Sequence, residues 1–111
     1  MLNMTTNTPT ENGPATLTIW TDSIACTVER VSASGKTAWI REDKATIVSG
    51  SAHDGSARYS YERNPDGALY KVTRRTRRNG TVTWKRAGVR TSDSGWIASF
   101  GARRRHYDPH I

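Results

Sequence analysis

Along most of this chain, apolar and polar residues alternate in short runs separated by turn-forming residues. Ala15, Leu17 and Ile19 fall on one side of the first run, and Thr16, Thr18 and Trp20 on the other. A period of two over that length predicts a strand with one buried face. A short turn is expected at Asp22-Ser23. The run from Ile24 to Val31 then alternates again, with Ile24, Cys26 and Val28 inward. Ser32 to Lys36, centred on Ser34-Gly35, reads as a tight turn, and Thr37 to Arg41 as a third strand. Glu42-Asp43-Lys44 interrupts the pattern, which resumes from Ala45 to Val48. The Gly- and Ser-rich segment 49–57, with His53 and Asp54, predicts a mobile loop.

The stretch from Arg58 to Arg86 organises the second half. Three alternating runs are joined by Asn64-Pro65-Asp66-Gly67 and by Asn79-Gly80. The first joint suits a type I turn, with proline at the position that needs φ near −65° and Gly67 free to turn left-handed. The second suits a two-residue type I′ hairpin. Together they predict a three-strand antiparallel meander. After a polar loop over 87–95, Trp96 to Phe100 forms a short last strand.

No stretch holds a helical apolar period for more than two turns. About seven short strands with turns between them predict an all-β fold, a small antiparallel SH3-like or partly open barrel. The expected organisation is a flexible N-terminal arm over 1–14, one barrel-like domain over 15–102 and a basic tail over 103–111. A homo-oligomer that completes the sheet is the alternative.

Composition sharpens this picture. With 111 residues and 34% hydrophobic content, the chain has room for one modest core and no deep pocket beside it. The net charge is +7, and it is unevenly placed. Residues 1–57 sum to −2 and residues 58–111 to +9; between Gly67 and Arg90 there are eight basic residues and no acidic one. A field of that sign concentrates phosphate-bearing partners. The single cysteine, Cys26, excludes an intrachain disulfide and fits a reducing compartment. No run is long and apolar enough for a membrane span, and the first residues lack the pattern of a secretory signal.

The candidate chemistry is therefore anion contact. Arg58, Arg63, Lys71, Arg74, Arg75, Arg77, Arg78, Lys85 and Arg86 supply charge, helped by Arg103, Arg104 and Arg105 in the tail. Tyr59, Tyr61 and Trp84 are the expected stacking surfaces among them. Guanidinium groups fork onto phosphates and aromatic rings stack on bases, which suits nucleic acid or a nucleotide. Ser34-Gly35-Lys36-Thr37 is a hairpin and not a phosphate-binding P-loop, because the upstream glycine of that motif is replaced by Arg30. His106, Asp108 and His110 do not make a metal site, since Pro109 prevents the helix that would align them. The carboxylates are scattered and Cys26 lies on an inward face, so no catalytic residue, cofactor or metal is expected.

Several turns carry a resemblance. Trp20-Thr-Asp-Ser-Ile-Ala-Cys-Thr-Val28, Ser34-Gly-Lys-Thr37, Glu42-Asp-Lys-Ala45, Tyr61-Glu-Arg-Asn-Pro-Asp-Gly67 and Tyr107-Asp-Pro109 resemble a family of small phage and prophage proteins. The resemblance spans roughly residues 15–109. It implies a phage origin and expression in the cytoplasm of an infected bacterial host, and it carries over no catalytic residue. The family has no established activity; phage accessory genes in general often encode sponges for nucleotide immune signals and small inhibitors of host defences, anti-CRISPR proteins among them. The alternative to binding nucleic acid or a nucleotide for its own sake is a counter-defence role, either sequestering a nucleotide immune signal or inhibiting a host defence protein by docking the arginines on its acidic surface.

Overall fold

A computed structural model describes residues 8–20, 22–51, 56–93 and 95–102. Eight strands follow in order: β1 (Pro14–Ile19), β2 (Asp22–Val31), β3 (Thr37–Glu42), β4 (Lys44–Ser49), β5 (Arg58–Glu62), β6 (Leu69–Thr76), β7 (Val82–Arg86) and β8 (Ile97–Phe100). All pairings are antiparallel. β1, β2, β3, β6, β7 and β8 form a barrel in that order, and it closes completely through β8 on β1. The all-β barrel expected from the alternation is thus present, with no free edge in its main sheet.

The interior is narrow, and the residue sizes show how it fills. Ala15, Leu17, Cys26, Val28, Ala38, Ile40, Val72, Trp84, Ala98 and Phe100 form one buried cluster. Small residues face large ones across the ladder: Ala98 pairs with Trp84, Ala38 with Val72, and Ala15 with Phe100. A barrel of this size accepts a tryptophan only where its neighbour yields the space. Trp84 meets Phe100 edge-to-face, with centroids 5.2 Å apart and planes at 84°, a geometry the ring quadrupoles favour. Ala15, Leu17, Cys26 and Val28 are inward as the period of two requires.

The predicted three-strand meander forms only in part. β6 pairs with β7, but β5 does not pair with β6; it pairs with β4 in a separate two-stranded sheet. The Asn64–Gly67 turn does close, with Gly67 N–H donating to Asn64 O at 2.9 Å. It delivers the chain to β3 instead of back along β5. Glu42 N–H donates to Ala68 O at 2.9 Å, and Arg41 Nη1 donates to Gly67 O at 2.9 Å. β3 has an open side there, and pairing with it puts Val72 into the core beside Ala38. Gly67 is needed for close approach and not for a left-handed φ: a Cβ on it would lie 2.1 Å from Glu42 O.

Two further turns differ from expectation. Asn79-Gly80 is not a two-residue type I′ turn. Gly80 N–H donates to Arg77 O at 2.9 Å, Arg77 N–H donates to Thr81 O at 2.8 Å, and only Gly80 of the pair has positive φ, at 85°. That is the longer hairpin loop in which a type I turn is followed by a left-handed glycine. The β1–β2 turn falls before Asp22, which already pairs with Ile19, and Trp20 beside it takes φ 56°.

Part of the predicted N-terminal arm is held on the barrel. Asn12 N–H donates to Val28 O at 2.8 Å, Val28 N–H to Gly13 O at 2.9 Å, and Pro9 is buried. Of the predicted mobile loop, residues 52–55 lie outside the described residues, as does the basic tail over 103–111. No helix of the described residues is long and apolar enough to cross a membrane.

Candidate functional site

The β6–β7 hairpin presents three exposed cations close together in the chain. Its loop is fixed by the Arg77–Gly80 and Arg77–Thr81 bonds and by Asn79 Oδ1, which accepts from Thr81 N–H at 3.0 Å. Arg74, Arg77 and Arg78 project from this fixed backbone into solvent. Among the described residues, no hydrogen bond or ion pair engages their side chains. Arg74 N–H donates to Lys36 O at 2.8 Å, which seats the β2–β3 turn, and the exposed Lys36, against the same end of the barrel.

A second basic feature lies on the outer wall. Ala38 and Ile40 point inward, so Trp39 and Arg41 point out. Trp39 stands in register between Arg30 on β2 and Lys71 on β6. The Arg30 guanidinium sits 4.5 Å from the Trp39 ring centroid and Lys71 Nζ 5.9 Å from it, both within cation–π reach. A bulge between Val28 and Arg30 creates this neighbourhood. One extra residue there lets Glu29 reach Arg41 while Arg30 covers Trp39.

Next along the wall is an ionic cluster. Arg41 Nε donates to Glu29 Oε1, and Arg63 Nη2 lies 3.7 Å from Glu29 Oε2. Arg63 also donates to Asn12 Oδ1 at 2.8 Å. The Arg41 hydrogen bond holds the Glu29 carboxyl below its ordinary value, against a weaker opposing effect of burial. Thr27 Oγ1 donates to Asp43 Oδ1 at 2.6 Å where the chain leaves β3 for β4. Two concavities share Glu29 and Arg41. One, of about 220 Å³, reaches Asp43 and Pro65; the other, of about 400 Å³, reaches Arg30, Trp39 and Leu69.

The remaining sequence candidates are placed elsewhere, and three of them serve the fold. Trp84 is 1% exposed and belongs to the core, so it offers no stacking surface. Lys85 is also 1% exposed, and its Nζ donates to Asp93 O and, at 2.7 Å, to Gly95 O. It is therefore not available to an anion. Arg75 donates to Thr73 Oγ1, Val89 O, Thr91 Oγ1 and Arg86 O at 2.7–3.3 Å. Lys85 and Arg75 together pin the segment after β7 across the outside of the barrel.

Arg86 has yet another setting. Its guanidinium lies 4.5 Å from the Trp96 centroid and 5.6 Å from that of Tyr70. Burial pushes the Tyr70 phenol above its ordinary value, and the Glu42 carboxylate adds to the rise. Tyr59 and Tyr61 are half-buried and stack on each other, centroids 6.2 Å apart, on the β4–β5 hairpin. Arg58 is exposed on that same hairpin and so is not part of the β6–β7 surface. Arg103, Arg104 and Arg105 lie outside the described residues.

Trp39 and Arg30 were missed by the sequence reading. The alternation of Ala38, Trp39 and Ile40 carried the signal for Trp39, because two inward neighbours force the residue between them outward. Nothing in the sequence marked the bulge that brings Arg30 over it. Fold and surface together define a small closed antiparallel barrel with a basic hairpin and a cation-flanked tryptophan on its outer wall. Comparison of the chain with protein-family models, curated proteins and solved structures finds no match.

Proposed function

We propose that this protein is a non-enzymatic binding module for phosphate-rich ligands, with nucleic acid as the principal partner. The reading places it in the cytoplasm of a phage-infected bacterium, on the strength of its resemblance to small phage proteins. One observation carries the binding role: Arg74, Arg77 and Arg78 stand exposed on a rigid hairpin with no partner among the described residues, and Lys36 sits beside them. Among the described residues, no ion pair neutralises these cations. A free guanidinium offers a planar fork of donors that matches phosphate oxygens. The backbone beneath them is already hydrogen-bonded in the hairpin, so the ordering cost on phosphate binding falls on the arginine side chains and not on the loop.

Fluorescence anisotropy of a labelled 30-nucleotide strand, titrated at several salt concentrations, tests this. Neutralising four phosphates lowers affinity about 50-fold between 50 and 200 mM salt, from a slope near −0.7 per phosphate on single strands. The triple variant R74A/R77A/R78A flattens that dependence. Equal binding at both salt concentrations, or salt-sensitive binding unchanged in the variant, would overturn the reading.

A further inference from the structure

We propose that the concavity beside Trp39 seats one unpaired base of a single-stranded nucleic acid, with the strand's phosphates running from Arg30 and Lys71 toward the β6–β7 hairpin. This rests on the polyanion-binding reading above and narrows it to a class of nucleic acid.

The concavity holds two kinds of surface. Trp39 and Leu69 form an apolar side, and Leu69 is 49% exposed. Glu29 and Arg41 form a polar side. At about 400 Å³ the space lies toward the small end of ligand sites, which run from about 300 to 1,000 Å³. A nucleobase has this same division, an apolar face and an edge of donors and acceptors.

The charges fix its orientation. Glu29 is an anion held in place by Arg41, and it repels a phosphate from the interior of the concavity. The same carboxylate accepts a hydrogen bond from an exocyclic amino group, as acidic side chains do from cytosine. Phosphates are drawn instead to Arg30 and Lys71, which flank Trp39 on the neighbouring strands β2 and β6. The guanidinium over Trp39 extends the stacking platform, since bases stack on arginine planes as well as on rings.

Two features favour a strand over the other forms of the ligand. A base in a duplex has both faces covered by its neighbours, so only an unpaired base can present a face to Trp39. The cations also extend further than one nucleotide reaches. Lys71 and Arg77 are six residues apart along β6 and its continuation, about 20 Å at a strand's rise per residue. A mononucleotide seated at Trp39 reaches none of the hairpin arginines.

The test uses the full-length protein with three probes: a 12-nucleotide single strand of mixed sequence, the same sequence as a duplex, and a mononucleotide. The parent is expected to prefer the single strand to both other probes and to show quenched tryptophan emission on binding it. W39A weakens single-strand binding roughly 5- to 150-fold, the worth of one stacked base. W39F retains most of the affinity while the quench is lost, which covers the case in which W39A fails to fold. The proposal is overturned if the parent binds duplex or mononucleotide as tightly as the strand, if W39A binds the strand like the parent, or if the quench survives in W39F. Binding that persists in W39A and is lost in R74A/R77A/R78A removes the base seat and leaves the polyanion reading standing. A parent that binds none of the probes removes both.

Discussion

Arg74 and Arg75 are consecutive residues of one strand, and they do opposite things. Arg74 is exposed with no side-chain partner among the described residues, whereas Arg75 spends its guanidinium on Thr73, Val89, Thr91 and Arg86. The same division runs through the whole basic stretch. Arg77 and Arg78 belong with Arg74, at the end of the hairpin; Lys85 belongs with Arg75, beneath the segment that follows β7. Charge density alone therefore says little about availability. Arg74 shares the inward phase of Val72 and Trp84 and is free because it lies near the end of β6 and is exposed there; Arg75, on the outward phase, is structural because the chain returns over it and offers carbonyls.

The largest effect that sharpens this division comes from the core beneath it. Trp84→Ala leaves a cavity against Phe100 and Ala98 and lowers stability by about 3–5 kcal/mol, read from urea denaturation. A loss below about 1 kcal/mol would show that Trp84 is not packed as described. Next is Lys85→Met, which keeps the stem and removes the ammonium. It strands the carbonyls of Asp93 and Gly95 and costs about 2–3 kcal/mol, since hydrogen bonds from charged groups are the stronger kind. A neutral result would place Lys85 among the free cations and break the comparison.

R74A/R77A/R78A is the converse case. These side chains are exposed, so each substitution shifts stability by no more than about 0.5 kcal/mol, while polyanion affinity falls. Loss of folding in this variant would mean the hairpin arginines also hold the structure. The smallest effect concerns Glu29. Its carboxyl titrates below the ordinary 4.5, so its contribution to stability is full above that value and is lost as pH falls through the lowered one. A half-exposed pair limits the size of this effect. Denaturation midpoints between pH 6 and pH 3 should fall less steeply in E29Q than in the parent, and parallel curves would exclude the Arg41 contact as the cause.

The comparison also shows where reading the chain in one dimension misleads. The aromatic and basic pattern of the sequence puts both Trp84 and Lys85 on one ligand-facing surface. Adjacent residues of a strand point to opposite faces, so at most one of them could be there. In the fold neither is: Trp84 faces Phe100 inside, and Lys85 is covered from outside. The hairpin signal at Asn64–Gly67 groups Tyr59 and Tyr61 with the β6 arginines. The joint is real, but the turn's own hydrogen bond says nothing about which strand the chain meets next. The charges near Trp39 in sequence, Lys36, Arg41, Glu42, Asp43 and Lys44, are of mixed sign and do not single it out; the cations over its ring arrive from β2 and β6.

Strand positions, the all-β class and most inward faces were legible in the order of residues, because a side-chain period of two and the φ needs of Pro and Gly act over a few bonds. Strand partners, the closing of β8 on β1, the bulge at Glu29 and the sorting of cations into bound and free were decided by the folded molecule. Each depends on groups far apart in the chain, which meet only once burying Val72, Trp84 and Phe100 in one small interior has chosen the register.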